Sequence, residues 1–197
     1  MGGAAGDVRA YELYLLAAMA GRAPDALVDA ALYRLRATRS EMRRENRRVN
    51  DRLRLRPGGV DAWVGILSGA RIEGSRTTDG SRVSERHRFA TWPDFEYEIE
   101  YDTGGMGWGL NRAEFVRAAG SVLPDGPPAP WTWLKAETLG EYEVLREIDT
   151  WGSYDSYAVR DRDGAYIFLS FSHGLFQEVA PLEVLDGQPV AQLRNDE

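Results

Sequence analysis

The chain has 197 residues, 43% of them apolar and 11% aromatic, which is enough to bury a core and too apolar for a disordered polymer. It contains no cysteine, so disulfides, thiolate nucleophiles and cysteine-based metal sites are excluded. Two histidines, His87 and His173, are too few for a three-histidine centre. The formal net charge of −7 is unevenly spread. Residues 34–88 carry fifteen Arg against seven acids (+8), and residues 89–197 carry seven bases against twenty acids (−13).

Lys135 is the single lysine beside 23 Arg, a skew expected of a GC-rich bacterial or phage genome. It discounts arginine density as a functional signal and makes Schiff-base chemistry or a Walker-type phosphate loop a poor expectation. No apolar run approaches the roughly 18–20 residues that span a bilayer, and "YLLAAMA" is the longest. Asp7 and Glu12 stand where a signal peptide would carry positive charge, so a cytoplasmic protein is expected.

In chain order, Val8 to Ala20 reads as an amphipathic helix with Leu13, Leu16, Ala17 and Ala20 on its apolar face, closed by Gly21. Pro24 and Asp25 open a second helix, and no breaker follows until Pro57-Gly58-Gly59. Val28, Leu35, Met42 and Val49 recur every seven residues, with Leu32 and Leu53 beside them. The expectation is one Arg-rich helix of roughly thirty residues, about 45 Å long. Strands are expected at Val60–Leu67, Arg82–Phe89 and Phe95–Tyr101, then a short helix over Arg112–Ala119.

"LPDGPPAP" (Leu123–Pro130) divides the chain into 1–123 and 131–197, as two domains or as two lobes of one core. Beyond it, Tyr142–Asp149, Ser156–Asp161, Ala165–Ser172, Leu175–Val179 and Leu182–Leu185 read as short strands. Asp163-Gly164 and His173-Gly174 supply tight turns. The fold class expected is α+β: N-terminal helices including one long Arg-rich helix, followed by antiparallel β-sheet with a C-terminal β-meander or small barrel.

Three stretches could carry function. Arg36–Arg56 holds nine Arg against Glu41, Glu45 and Asp51. Arg36, Arg43, Arg47 and Arg54 share one helical face, and Arg44, Arg48 and Arg52 another, with Arg39 between the apolar sevens. Such a row suits a partner protein, self-association or nucleic-acid phosphates. "FEYEIEYD" (Phe95–Asp102) puts four aromatic or apolar residues on one face and Glu96, Glu98, Glu100 and Asp102 on the other. Those acids need positive charge against them: counterions, the chain's own Arg-rich helix, a cationic partner or, as a weak candidate, a divalent metal. "TGGMGWG" (Thr103–Gly109) is a glycine-rich loop presenting Met106 and Trp108 to the core or to a partner.

His173, beside Ser170 and Ser172, fits a turn better than a catalytic base, and His87 reads as an exposed edge-strand residue or a phosphate contact. Trp131 and Trp133, with Trp151, Tyr154 and Tyr157, are expected to fill the C-terminal core. The function expected is a non-catalytic binding protein acting through a protein–protein interface, of immunity, adaptor or anti-defence type. Its expected contacts are Arg39, Arg43, Arg44, Arg47, Arg48, Arg52, Met106 and Trp108, with no cofactor and no membrane. The alternatives are nucleic-acid binding by residues 36–56 and a carboxylate- or metal-dependent enzyme around residues 96–102.

Overall fold

A computed structural model describes residues 3–54, 71–104, 109–185 and 188–189. They form N-terminal helices followed by two antiparallel four-stranded sheets, an α+β arrangement. The chain divides into two compact units, Met1–Ser121 and Val122–Glu197. The strand expected at 60–67 and the loop carrying Met106 and Trp108 lie outside the described residues.

In the first unit, α1 (Gly3–Met19) leads to α2 (Asp25–Arg34) and α3 (Arg39–Arg54). Between Ala10 and Met19, α1 is buried on nearly every side: Tyr11, Leu13, Leu15, Leu16 and Met19 have no exposed surface. The expected helix is therefore present, but buried on more sides than its amphipathic pattern implies. A helix apolar all round belongs in an interior, and here one side of α1 meets a sheet while another meets α3. Tyr11 reaches the sheet rings Tyr97 and Phe89, at centroid distances of 6.0 and 6.1 Å. On the helical side, Arg9 donates to the Leu35 carbonyl and to Glu41. Glu12, buried within this helix, accepts from the Thr91 amide (3.0 Å) and hydroxyl (3.1 Å). Burial raises its carboxyl pKa more than those hydrogen bonds lower it.

The single thirty-residue helix expected from Pro24 to Leu55 is two helices. Arg36 adopts φ +49, and Ala37 donates to the Leu32 carbonyl while Arg36 donates to Tyr33, which is a Schellman turn with Arg where glycine is usual. Thr38 then caps α3, its hydroxyl accepting from the Glu41 amide at 3.1 Å. Val28, Leu35, Met42 and Val49 are all buried, so the sevenfold spacing marks core positions on two helices rather than one stripe. Because the left-handed region costs a residue with a Cβ roughly 1 kcal/mol, Arg36→Gly is expected to stabilise the protein by about 0.5–1 kcal/mol. Urea unfolding of both proteins checks this, and a loss of stability would contradict it.

The first sheet comprises β1 (Arg71–Asp79), β2 (Arg82–Arg88), β3 (Phe95–Asp102) and β4 (Gly109–Arg117), antiparallel in that order. β4 occupies the segment expected to be helical. Its register sets Phe115 opposite Tyr97, and Phe115 also stacks against Trp92, Phe95 and Phe89. Burying that ring outweighs the helix preference of "NRAEFVRAA".

The second unit holds a short helix α4 (Lys135–Leu139) and strands β5 (Glu143–Trp151), β6 (Tyr154–Arg160), β7 (Tyr166–Ser172) and β8 (Leu175–Pro181). They form an open meander in sequence order rather than a closed barrel, and β9 (Val184–Leu185) pairs with β10 (Gln188–Pro189) as a separate two-stranded sheet. Both expected turns are present. His173 (φ +49) and Gly174 (φ +75) place two left-handed residues between β7 and β8, the geometry that matches the twist of a hairpin. Trp133 packs with Val159, Leu169, Phe171 and Phe176, and Tyr157 borders that core as expected. Trp131 adopts φ +61 and donates its Nε1–H to Gln177 at 2.9 Å. Among the described residues no helix is long and apolar enough to cross a membrane.

Candidate functional site

Alternation on β2 sends Arg82, Ser84, Arg86 and Arg88 to the outer face of the first sheet, and alternation on β3 sends Glu96, Glu98, Glu100 and Asp102 there too. The antiparallel register sets Arg88 opposite Glu96, Arg86 opposite Glu98, Ser84 opposite Glu100 and Arg82 opposite Asp102. Arg86 Nε and Ser84 Oγ each donate to Glu98 at 2.9 Å, and Arg112 of β4 reaches the other Glu98 oxygen. Arg88 donates to Glu96 at 2.9 Å, Arg82 lies 3.1 Å from Glu100, and Asn111 donates to Asp102 at 2.9 Å. Glu114 stands opposite Glu98 in the register, a like-charge pair that Arg112 bridges by also lying 3.2 Å from Glu114.

Among the described residues, the positive charge that the acidic strand requires thus comes from its two neighbouring strands. The carboxylates lie beneath the guanidinium groups: the Glu98 side chain is 5% exposed, whereas those of Arg86 and Arg112 are each 44% exposed. Burial pushes the Glu98 carboxyl up, but hydrogen bonds from Arg86 and Ser84 and the charges of Arg112 and Arg86 carry it below its ordinary value. Glu96, Glu98, Glu100 and Asp102 are consequently engaged as acceptors of side-chain donors. Among the described residues no group of three or more His, Asp or Glu is placed to hold a metal ion.

Three of the seven arginines on α3 are also engaged. Arg39, between the helices, pairs with Asp25 and Asp29 of α2, both at 2.7 Å, and these bonds raise its pKa. Arg44 and Arg48 hold Glu45 at 3.2 and 2.7 Å. Glu41 takes Arg9 of α1 at 2.7 Å, which lowers its pKa. Arg43 and Arg47 differ. They lie one turn apart on a face they share with Ser40, Arg44, Arg48 and Asp51. Both are exposed, and neither makes a hydrogen bond or ion pair with a described residue. The backbone of Arg52 continues α3 beyond them.

His173 lies in the hairpin turn expected of it, whereas His87 does not sit where the sequence placed it, and both are buried. His87 is fully buried on the inner face of β2, an interior strand, not exposed at an edge. Its Nε2 lies 3.8 Å from Glu85, whose carboxylate also accepts from Tyr101 Oη (3.1 Å) and lies 3.6 Å from Arg76. The sequence signal for this cluster was parity: Glu85 and His87 alternate with Arg86 in step with the apolar Val83. His173 is buried in its hairpin turn, where its amide donates to the Ser153 carbonyl at 2.6 Å.

No model of a known protein family matches the chain. No curated protein matches it either.

Proposed function

We propose that this chain is a non-catalytic binding protein that works through a protein interface centred on the exposed face of α3. One observation carries the reading: Arg43 and Arg47 stand exposed and without a carboxylate partner among the described residues, while Arg39, Arg44 and Arg48 around them are held in ion pairs. Salt-bridged neighbours and the buried Met42 and Val49 fix the helix in place, so the two free guanidinium groups are presented by a rigid element. Rigid arginines of this kind are favoured contacts in protein interfaces.

The partner is an acidic protein surface. Immobilised protein at 50 mM NaCl is expected to retain polyglutamate, used as an acidic polypeptide probe, with affinity falling roughly five- to tenfold in R43A/R47A. Arg162→Ala, in the second unit, serves as the control for loss of an exposed arginine elsewhere. A 30-base-pair DNA duplex at the same salt is the counter-probe. If the duplex bound more tightly than polyglutamate, with a steep salt dependence, the surface would belong to nucleic acid. No retention of either probe would refute the α3 interface.

A further inference from the structure

We propose that the surface docking on α3 is the exposed edge strand β5 of a second copy, so that copies associate head to tail. This rests on the reading of α3 as an interface and assigns its partner. The two units differ sharply in charge. Residues 1–121 carry nineteen bases and seventeen acids (+2), and residues 122–197 carry five bases and fourteen acids (−9). A chain with one weakly basic unit and one strongly acidic unit is complementary to its own copies, provided that each unit exposes its charge.

β5 does so. It ends the second sheet, and among the described residues it pairs only with β6. Its positions 143, 144 and 146–150 are exposed, including Glu147 and Asp149 beside Arg146, while Glu143 lies 3.7 Å from Arg160 of β6. Val144 and Ile148, 47% and 42% exposed, lie among those acids and offer apolar contact to the methylene stems of incoming arginines.

The form of the edge argues for a helix as its occupant. Leu145 and Ile148 are extra residues in the β5–β6 ladder, two bulges within nine residues. Bulges of this kind twist an edge strand away from regular main-chain pairing, so an added strand from another chain is disfavoured. Recognition then runs through side chains, as a helix lying along the edge allows. The lengths agree: sixteen residues of α3 span about 24 Å, and nine residues of β5 about 30 Å. Because α3 and β5 are different surfaces of the same chain, the contact is heterologous, and each copy retains one open face for the next.

Light scattering after gel filtration tests this with the full chain at 50 and 500 mM NaCl over a range of concentrations. The wild type is expected to exceed its 22.0 kDa monomer mass at low salt and to return to it at high salt. R43A/R47A and E147Q/D149N should each be monomeric at both salts, with thermal unfolding unchanged because all four side chains are at the surface. Their equimolar mixture should form a species of two copies and no larger, since each variant keeps one face. A wild type monomeric at every concentration at 50 mM NaCl would overturn the proposal. So would either variant remaining associated, or a mixture that stays monomeric. Retention of polyglutamate by a monomeric wild type, lost in R43A/R47A, would leave the α3 interface standing with a different occupant.

Discussion

Phe115→Ala is expected to cost about 3–5 kcal/mol of stability, the largest loss foreseen for any single ring in the first sheet. Phe115 is 2% exposed, and its ring centre lies 5.0 Å from those of Trp92 and Tyr97, with Phe95 and Phe89 at 6.3 and 6.4 Å. Removing it empties the middle of an aromatic cluster whose other members are fixed by β3 and by the 89–94 connection, so the cavity collapses poorly. Edge-to-face contacts with Tyr97 and Phe95 are lost as well. Leu110→Ala, on the same strand but 41% exposed, should cost under about 1 kcal/mol. Urea unfolding followed by tryptophan fluorescence measures both. A Phe115→Ala loss no larger than that of Leu110→Ala would mean that β4 does not insert this ring into the core.

How much of this was legible depended on whether a residue's role is set locally. "FEYEIEYD" could be read because strand parity alone separates its faces: Phe95, Tyr97, Ile99 and Tyr101 are buried on one, and the acids lie on the other beneath the arginines of β2 and β4. His173-Gly174 was legible for the same reason, a two-residue turn being specified by its own φ angles. The long helix was misread because seven-residue spacing survives a break when both helices bury the same side. The corrective signal was present in Thr38-Arg39-Ser40-Glu41, a capping sequence inside an otherwise unbroken run. β4 was misread because its fate is decided by Tyr97 and Trp92, which are distant in sequence. The ion-pair ladder was half legible: parity on β2 aligns Arg82, Arg86 and Arg88, but charge totalled over long segments merged them with the arginines of α3. Which arginines on α3 stay unpaired could not be read at all. That depends on α2 folding back to bring Asp25 and Asp29 to Arg39, a consequence of the turn at Arg36.

Glu98→Gln tests the ladder itself and is expected to cost about 2–3 kcal/mol at pH 7. The carboxylate is shared by Arg86, Arg112 and Ser84 beneath the sheet surface, and an amide supplies one neutral acceptor in place of two charged oxygens. The figure stays below that of a wholly buried pair because both guanidinium groups are nearly half exposed and keep access to water. The pH dependence distinguishes a charge effect from a packing effect. Glu98 has a folded pKa below its ordinary 4.5, so its contribution is present above the unfolded value and is lost as pH falls through the folded one. The stability gap between wild type and E98Q should therefore be full at pH 6–7 and close progressively below about pH 4.5. Glu12 acts in the opposite sense in both proteins: its pKa is raised by burial, so it favours folding at low pH and that contribution fades as pH rises through the raised value. Because Glu12 is common to both, it cancels from the difference. Urea unfolding of the pair from pH 3 to pH 7 measures the gap, and a gap that does not narrow on acidification would mean that Glu98 fills space rather than balancing two arginines.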